Sequence, residues 1–223
     1  MLIVHHLNNS RSQRVLWMLE ELGIDYDIKR YQRDPGTMLA PPELRAVHPL
    51  GKSPIITDDG HTLAESGAIL TYLNERYGQG RFAPAHGTSP ERLRYDYWMH
   101  YAEGSAMPPL LLKLVALRIG SASMPFFVKP VARRIAQTMQ DSFIDPQLKL
   151  HFAYIESELS KFEWFAGDSF SAADVQMSFP LEAGSLRAGA KALPHVSDFL
   201  KRIHARPAYQ RALQRGGKYD FAD

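Results

Sequence analysis

The segment Gly51-Lys52-Ser53-Pro54-Ile55-Ile56 places a proline directly before a β-prone pair of isoleucines. Proline is uncommon at such a position because it cannot donate a hydrogen bond to a strand ladder. A cis bond between Ser53 and Pro54 would account for it by turning the backbone of Ser53 outward. The N–H and C=O of Ser53 could then bind an extended peptide in the manner of an added edge strand. The alternative is an ordinary trans proline that opens an edge strand.

Strand signals lie on both sides of this segment. Ile55-Ile56-Thr57 is followed by Asp58-Asp59-Gly60, and an Asp-Gly pair after a β-prone run predicts a tight hairpin. Upstream, residues 2–4 and 25–31 are also β-prone. The prolines and glycine within residues 34–42 predict a loop before the segment.

Two amphipathic helices accompany these strands. Apolar residues recur at i, i+3, i+4 and i+7 over residues 15–22, which is the pattern of a helix with one buried face. Ser10 or Asn9 is a suitable N-cap for this helix, and Gly23 is a suitable C-terminal stop. A second helix is predicted to end at Gly78. The order strand–helix–strand, loop, strand–strand–helix predicts a small mixed sheet with helices on its faces.

Beyond residue 80 the sequence predicts helices alone. The run from Gly78 to Pro90 is rich in Gly, Pro, Ser and Thr, which is typical of a linker, and Ser89-Pro90 begins a long helix. Further on, Ser171 and Asp174 form a variant of the capping box. We therefore predict an α/β domain over residues 1–80, a linker over 81–89 and an all-helical domain over 90–223.

The composition excludes several classes of function. The chain of 223 residues has no cysteine, so a disulfide framework, a thiolate metal site and a cysteine nucleophile are ruled out. Its nine histidines lack metal-binding spacing, and a net charge of +2 gives no strong attraction for nucleic acid. No apolar run reaches the roughly 18 residues of a membrane span. We expect a cytoplasmic protein with no metal, no nucleic-acid partner and no membrane partner.

Two predicted helix N-termini carry residues suited to hold an anion. Unpaired amides and the helix dipole stabilise negative charge there, and the Ser10 hydroxyl could donate a hydrogen bond to the same anion. The alternative is that Ser10 merely caps its helix. At the next helix, Glu65 could bind an ammonium group while Ser66 and the amides bind a carboxylate. The alternative is that Glu65 and Ser66 merely begin that helix.

Four segments in this order resemble the cytosolic glutathione transferase superfamily. They are residues 10–23, 48–56, 63–73 and 165–175, and the resemblance extends over essentially the whole chain. Bacterial and fungal members with serine-type active sites look most similar. The resemblance implies a thioredoxin-like glutathione-binding domain followed by an all-α domain. It also implies a cytoplasmic homodimer that detoxifies small hydrophobic electrophiles.

The resemblance also implies which residue activates the thiol of glutathione, the co-substrate. Ser10 matches the catalytic serine of serine-type members, where the hydroxyl donates a hydrogen bond to the thiolate. Asn8 and Asn9 precede it, and a shift of one residue would put Asn9 at the thiol instead.

Five further positions match the glutathione-binding residues of this superfamily. Pro54 matches the cis-proline, and Ser53 matches the residue whose backbone pairs with the cysteinyl part of glutathione. Lys52 is similar to a lysine that binds the glycine carboxylate, and Glu65 and Ser66 match the pair that holds the γ-glutamyl group. The residue before the cis-proline is often valine, so Ser53 departs from the family pattern in its side chain.

The second substrate is expected between the two domains, where small-molecule clefts are common. Tyr97, Trp98, Tyr101 and Met107 are the expected lining, and the alternative is that these side chains belong to the core or to an interface. The expected function is a glutathione transferase that conjugates glutathione to electrophiles, with peroxide reduction as a related use of the thiolate. The alternative is a non-catalytic glutathione-binding or protein-interaction module with the same fold.

Overall fold

The β-prone segments assemble into one four-stranded mixed sheet. The computed structural model describes residues 1–222. Its strands are β1 Ile3–Leu7, β2 Asp27–Tyr31, β3 Ile55–Asp58 and β4 His61–Ala64. They lie in the order β2-β1-β3-β4, in which β1 is parallel to β2 and antiparallel to β3, and β3 is antiparallel to β4. Val4 pairs with Ile28 on one side and with Ile56 on the other.

The predicted hairpin and the predicted cis bond are both confirmed. Asp58 pairs with His61 across a two-residue turn, and the turn residues Asp59 and Gly60 have φ angles of 45° and 82°. Two positive φ angles are typical of the tight turns that match the twist of antiparallel strands. The Ser53–Pro54 peptide bond is cis.

Three helices pack with this sheet, and one of them was not predicted. They are α1 Ser12–Leu22, α2 Pro42–Val47 and α3 Ser66–Gly78. The segment predicted as a loop therefore contains the start of α2. Pro42 lies in the first turn of α2, where a proline is tolerated because its missing N–H would have no partner within the helix.

The start of α1 also differs from the prediction. The N-cap is Arg11, in helical conformation, and not Ser10 or Asn9. Ser10 nevertheless accepts a hydrogen bond from the amide of Ser12 at 3.2 Å through its Oγ, because the chain turns tightly between Asn9, with φ of 48°, and the helix. The C-terminal stop is confirmed at Gly23, with φ of 69°.

The second part of the chain is helical, which confirms the predicted fold class. Its helices are α4 Pro90–Tyr101, α5 Met107–Ser121, α6 Lys129–Met139, α7 Asp145–Leu159, α8 Ala172–Arg187, α9 Pro194–His204 and α10 Pro207–Gly216. Single π-helical turns, Ala102–Ala106 and Gln140–Ile144, join α4 to α5 and α6 to α7. The predicted capping box is present at α8, between Ser171 and Asp174. Among residues 1–222, no helix combines the length and apolar character that a membrane crossing requires.

Helix α1 joins the sheet to the helical part. Trp17 in α1 is fully buried, and its ring centroid lies 5.6 Å from that of Phe170 and 5.2 Å from that of Tyr209. Both partners follow residue 90, so the core is continuous across the two parts. The turn before α1, which carries Ser10, therefore lies where both parts can supply side chains.

Candidate functional site

Ser10 lies at the meeting point of the α1 N-terminus and the segment before β3. It is 3% exposed. Its Oγ is 2.8 Å from the Oγ of Ser12 and 3.2 Å from the Oγ of Ser53. The structure thus brings together two residues that the sequence separates by 43 positions, and both are candidate glutathione-binding residues.

Ser53 is held by its side chain and leaves its backbone available. Its Oγ donates to the carbonyl oxygen of His5 at 3.4 Å, while the buried Pro54 leads into β3. Ser53 lies before the strand, and within residues 1–222 no other backbone group pairs with it. Its N–H and C=O are therefore free to pair with an extended ligand.

Glu65 and Ser66 form the N-terminus of α3, as predicted. Glu65 has φ of 71°, and its exposed carboxylate has no hydrogen-bond partner among the described residues. Ser66 is buried, and its Oγ accepts a hydrogen bond from Nη2 of Arg14 at 3.0 Å. Because Arg14 is the donor in that contact, the hydroxyl proton of Ser66 remains available for a carboxylate. This end of α3 can therefore bind an ammonium group and a carboxylate side by side.

Arg14 and Glu103 connect the two parts of the chain next to Ser66, and neither residue was predicted to do so. Arg14 is fully buried, with Nη2 bonded to Glu103 and Nη1 to the carbonyl of Gln176. Arg11 also pairs with Glu103, at 3.0 Å. Burial raises the pKa of Glu103, but the two guanidinium groups outweigh it and hold that pKa below its usual range. Neither residue belongs to a local motif, since 89 positions separate them.

His6 contacts the hydroxyl group of Ser12, which lies next to Ser10. Its Nδ1 is 2.9 Å from the Oγ of Ser12, which in turn contacts Ser10. Burial, followed by the charge of Arg30, lowers the pKa of His6 to about 4, although the carbonyl of Gly216 opposes this. His6 is therefore a neutral hydrogen-bonding group at pH 7 and not a cation beside the site.

The side chain of Asn9 forms hydrogen bonds with Asp220, near the C-terminus. Its Nδ2 donates to the carboxylate of Asp220 at 2.7 Å, and its Oδ1 accepts from the amide of Asp220 at 2.9 Å. Both functional atoms of the Asn9 amide are thus in use. Lys52 is exposed, with no ion pair within the part of the chain that the structure describes.

The structure places most of the expected second-substrate residues in the core. Trp98 is 1% exposed, and its ring stacks on Tyr154 at 5.5 Å and meets Phe165 at 4.6 Å. Met107 is buried too. Trp98 and Tyr101 face inward because α4 packs aromatic side chains against α7 and the segment before α8. Met107 begins α5, and the alternative of core residues fits it as well as Trp98 and Tyr101.

Tyr97 differs from the other three in being exposed, and Tyr101, although only 7% exposed, stacks beside it. Both line an open cavity of about 560 Å³, whose other lining residues are Leu93, Asp96, His100, Gly104 and Ser105. The lining does not include Ser10, Ser53, Glu65 or Ser66. Tyr97 is 45% exposed, so this cavity is a surface feature of α4 that is separate from the glutathione-binding candidates.

Comparison with known proteins gives a consistent result over the whole chain. Residues 10–76 match the N-terminal domain and residues 126–207 the C-terminal domain of glutathione S-transferases. Glutathione S-transferase 3 of Schizosaccharomyces pombe is 38% identical over 96% of this chain and 88% of its own. Glutathione S-transferase 1 of Saccharomyces cerevisiae is 32% identical over 95% of this chain and 94% of its own. A crystal structure of a glutathione S-transferase from Actinobacillus pleuropneumoniae superimposes with a TM-score of 0.81 at 33% identity, over 100% and 96% of the two chains.

Proposed function

Because this chain belongs to the glutathione S-transferase family, we propose that it binds glutathione as the thiolate and conjugates it to small hydrophobic electrophiles. The observation that carries the assignment of the site is the contact between Ser10 and Ser53. The buried Ser10 hydroxyl lies 3.2 Å from the Oγ of Ser53, whose backbone is free to pair with the cysteinyl residue. A thiol held by that backbone lies beside the hydroxyl and the N-terminus of α1.

Ser10, and not Asn9, is the proposed thiol-contacting residue. Its oxygen accepts the amide hydrogen of Ser12, and its proton, which lies among the hydroxyls of Ser12 and Ser53, can rotate towards the sulfur when glutathione binds. The Asn9 amide, in contrast, is engaged on both atoms by Asp220. This supports a serine-type active site.

The other parts of glutathione find matching groups around Ser10. We assign the ammonium group of the γ-glutamyl residue to Glu65 and its carboxylate to the hydroxyl of Ser66 and the amides of α3. The cysteinyl backbone pairs with Ser53 beside Pro54. Lys52, exposed one residue earlier, is assigned to the glycine carboxylate.

The proposed chemistry needs no nucleophile from the protein. A free thiol has a pKa of about 8.5, so only a few per cent is thiolate at neutral pH. Hydrogen-bond donation from Ser10 and the dipole of α1 favour the charged form, and each pKa unit corresponds to about 1.4 kcal/mol. The thiol proton leaves to solvent. The sulfur electron pair then forms a bond to carbon of the electrophile, and a leaving group departs with its own pair.

We also propose that the protein is a cytoplasmic homodimer, with residues 81–89 linking its two domains. Support for a dimer comes from exposed apolar side chains on neighbouring helices. Leu93 and Tyr97 on α4 are 57% and 45% exposed, and Leu150 and Tyr154 on α7 are 64% and 38% exposed. Exposed apolar patches of this kind are typical of protein interfaces.

Retention on immobilised glutathione tests the proposal, followed by turnover assays with a chloronitrobenzene and a hydroperoxide. We expect retention and conjugation, and hydroperoxide turnover would add a peroxidase activity. Retention without any turnover would favour a non-catalytic glutathione-binding or protein-interaction module. Lack of retention would contradict glutathione binding itself.

A further inference from the structure

The turn between α5 and α6 exposes two neighbouring phenylalanine side chains. Phe126 and Phe127 are 87% and 67% exposed, and their ring centroids are 5.6 Å apart with nearly perpendicular planes. The amides of Val128 and Lys129 both donate to the carbonyl of Pro125, at 3.0 and 3.2 Å, so the backbone forms a closed turn that leads directly into α6. Single exposed apolar side chains are common on proteins, whereas neighbouring ones indicate a contact surface.

The exposed apolar surface continues along one side of α6. Exposed apolar residues recur there at intervals of three or four positions, at Val128, Val131, Ile135 and Met139. Such spacing places the four side chains on one face of a helix. The packed face is a different one, because Ala136 is buried and its Cβ lies 3.8 Å from the position of a Cβ added at Gly120 of α5. The packing of α6 on α5 therefore leaves an apolar stripe exposed.

Residues 104–140, which include both helices, carry positive charges and no negative ones. The sequence has no aspartate or glutamate there, and its basic residues are Lys113, Arg118, Lys129, Arg133 and Arg134. The whole chain has a net charge of only +2, so the rest of the chain is net negative. Lys113 pairs with Asp145 of α7 at 2.6 Å, and the other four cations are closer in sequence to the turn.

Two of these cations adjoin the apolar stripe. Arg133 and Arg134 are exposed on α6, and Arg134 lies next to Val131 because the two are three positions apart. A helix with aromatic and aliphatic side chains on one face and arginines beside them binds at the boundary between the headgroups and the acyl chains of a bilayer. Anionic lipids add an attraction for each cation near the surface. Protruding phenyl rings fit this boundary, since the lipid chains rearrange around them and no preformed pocket is needed.

We propose that the α5–α6 turn and the exposed stripe of α6 bind reversibly to membranes that contain anionic lipids. The residues of this tip surface are Phe126, Phe127, Val131, Ile135, Arg133 and Arg134. The phenyl rings enter the headgroup boundary, and the guanidinium groups contact lipid phosphates. We expected no membrane partner because the chain lacks an apolar run long enough to span a bilayer, but binding at the surface needs no such run. The tip surface shares no residue with the proposed glutathione site, so the inference does not depend on the proposed function.

Co-sedimentation of the full-length protein with lipid vesicles tests the inference. One set of vesicles is phosphatidylcholine alone, and the other contains about 30% phosphatidylserine. We expect the protein to partition about tenfold more strongly onto the phosphatidylserine vesicles at low salt. This preference should shrink at high salt, because the Debye length shortens. Equal partitioning onto the two kinds of vesicle, or no binding to either, would overturn the inference.

The double variant Phe126→Ser/Phe127→Ser tests the role of the phenyl rings. It should lower partitioning onto the phosphatidylserine vesicles about tenfold and leave the thermal unfolding midpoint unchanged, because both rings are exposed. Leu39→Ser/Leu186→Ser is the matched control, since it removes two exposed apolar side chains elsewhere and should bind vesicles as the wild type does. Equal partitioning by the two variants would contradict a specific role of the tip surface.

The double variant Arg133→Gln/Arg134→Gln tests the role of the charges. It should reduce the preference for phosphatidylserine severalfold. Lys149→Gln/Lys191→Gln removes the same charge from exposed positions outside the tip surface and should reduce the preference much less. Equal reductions would mean that net charge alone draws the protein to the vesicles, against the inference.

Analytical ultracentrifugation without lipid separates a membrane from a second copy of the chain as the partner. We expect the wild type and Phe126→Ser/Phe127→Ser to have the same molecular mass in solution. A lower mass for the variant, together with no vesicle binding by the wild type, would show that a second copy covers the tip surface instead.

Discussion

At the scale of single residues, the contacts of Ser10 suit both a structural role and the chemical role proposed for it. Its Oγ accepts the Ser12 amide at 3.2 Å and lies 2.8 Å from the Ser12 hydroxyl. A hydroxyl has one proton and two lone pairs, so an oxygen that accepts from Ser12 still has a proton to donate. From the sequence, capping of α1 and activation of the thiol were alternative roles for Ser10. The geometry allows Ser10 to perform both.

Ser10→Ala is expected to raise the pKa of the bound glutathione thiol by about one unit, since it removes a hydrogen bond to the charged form worth about 1.4 kcal/mol. Asn9→Ala should change that pKa little. The measurement is the thiolate ultraviolet absorbance of the enzyme–glutathione complex as a function of pH. A rise in the thiol pKa with Asn9→Ala alone would show that Asn9 is the contacting residue.

Asp174 is expected to stabilise the fold and not to bind glutathione. Its carboxylate accepts hydrogen bonds from the amides of Phe165 and Ser171, both at 2.8 Å, and from the Ser171 hydroxyl at 3.0 Å. Asp174→Ala leaves two buried amides without partners, so we expect a loss of about 3 kcal/mol in the free energy of unfolding. Denaturant titration measures this loss. Glutathione affinity should be unchanged in the folded fraction.

The exposed Asp168, in the same loop, gives the matched control for that measurement. Asp168→Ala should change the free energy of unfolding by less than about 0.5 kcal/mol. Weakened glutathione binding by fully folded Asp174→Ala protein would show that Asp174 acts on the site as well.

At the scale of elements, the proposed chemistry depends on helix ends. The N-termini of α1 and α3 are both assigned to the proposed glutathione, and Arg14 on α1 links the two helices by its hydrogen bond to Ser66 on α3. The helix bodies hold these ends in place through close packing. One tight contact between helices is at Gly184 of α8, where an added Cβ would lie 2.0 Å from Cζ of Phe152 on α7.

Gly184→Ala is therefore expected to destabilise the protein by about 2 kcal/mol, because the ring of Phe152 would have to move within a packed core. Gly104→Ala is the matched control, since an added Cβ there meets no atom within 4 Å. Thermal unfolding of both variants checks the prediction. Equal midpoints for the two would mean that the α7–α8 contact can relax at no cost.

At the scale of the whole molecule, several ion pairs join the part that contains the sheet to the helical part, and of these the pair of Arg14 with Glu103 has the most deeply buried arginine. Arg14 is buried on α1, and its partner Glu103 lies in the turn between α4 and α5. Removing one partner of a buried pair leaves an uncompensated charge. Glu103→Gln should therefore cost about 3 kcal/mol at pH 7.

The pH dependence of this cost has a definite sign. Burial raises the pKa of Glu103, but Arg14 and Arg11 outweigh it, so the folded-state pKa lies below the ordinary 4.5. The folded protein thus binds fewer protons than the unfolded chain in this range. The stabilisation is complete above pH 4.5 and is lost as the pH falls through the folded-state pKa. Urea titrations of wild type and Glu103→Gln should converge at low pH, and a difference that grows on acidification would contradict the assignment.

Much of the fold could be predicted because its signals are local. The cis-proline segment before β3, the hairpin at Asp59-Gly60 and the capping box at Ser171 each depend on residues within a few positions of one another. The same is true of Glu65 and Ser66 at the start of α3. Backbone geometry and hydrogen-bonding capacity over one turn suffice to indicate such features.

The sequence by itself therefore determined the two-part architecture, the family and the candidates for binding glutathione. Only the tertiary structure decided that Trp98 is core and that Arg14 and Glu103 join the two parts. Whether a side chain is buried, and which distant charge it meets, depends on how helices pack across the chain. No local pattern carries that information, because the partners lie tens of residues apart and meet only in the folded core.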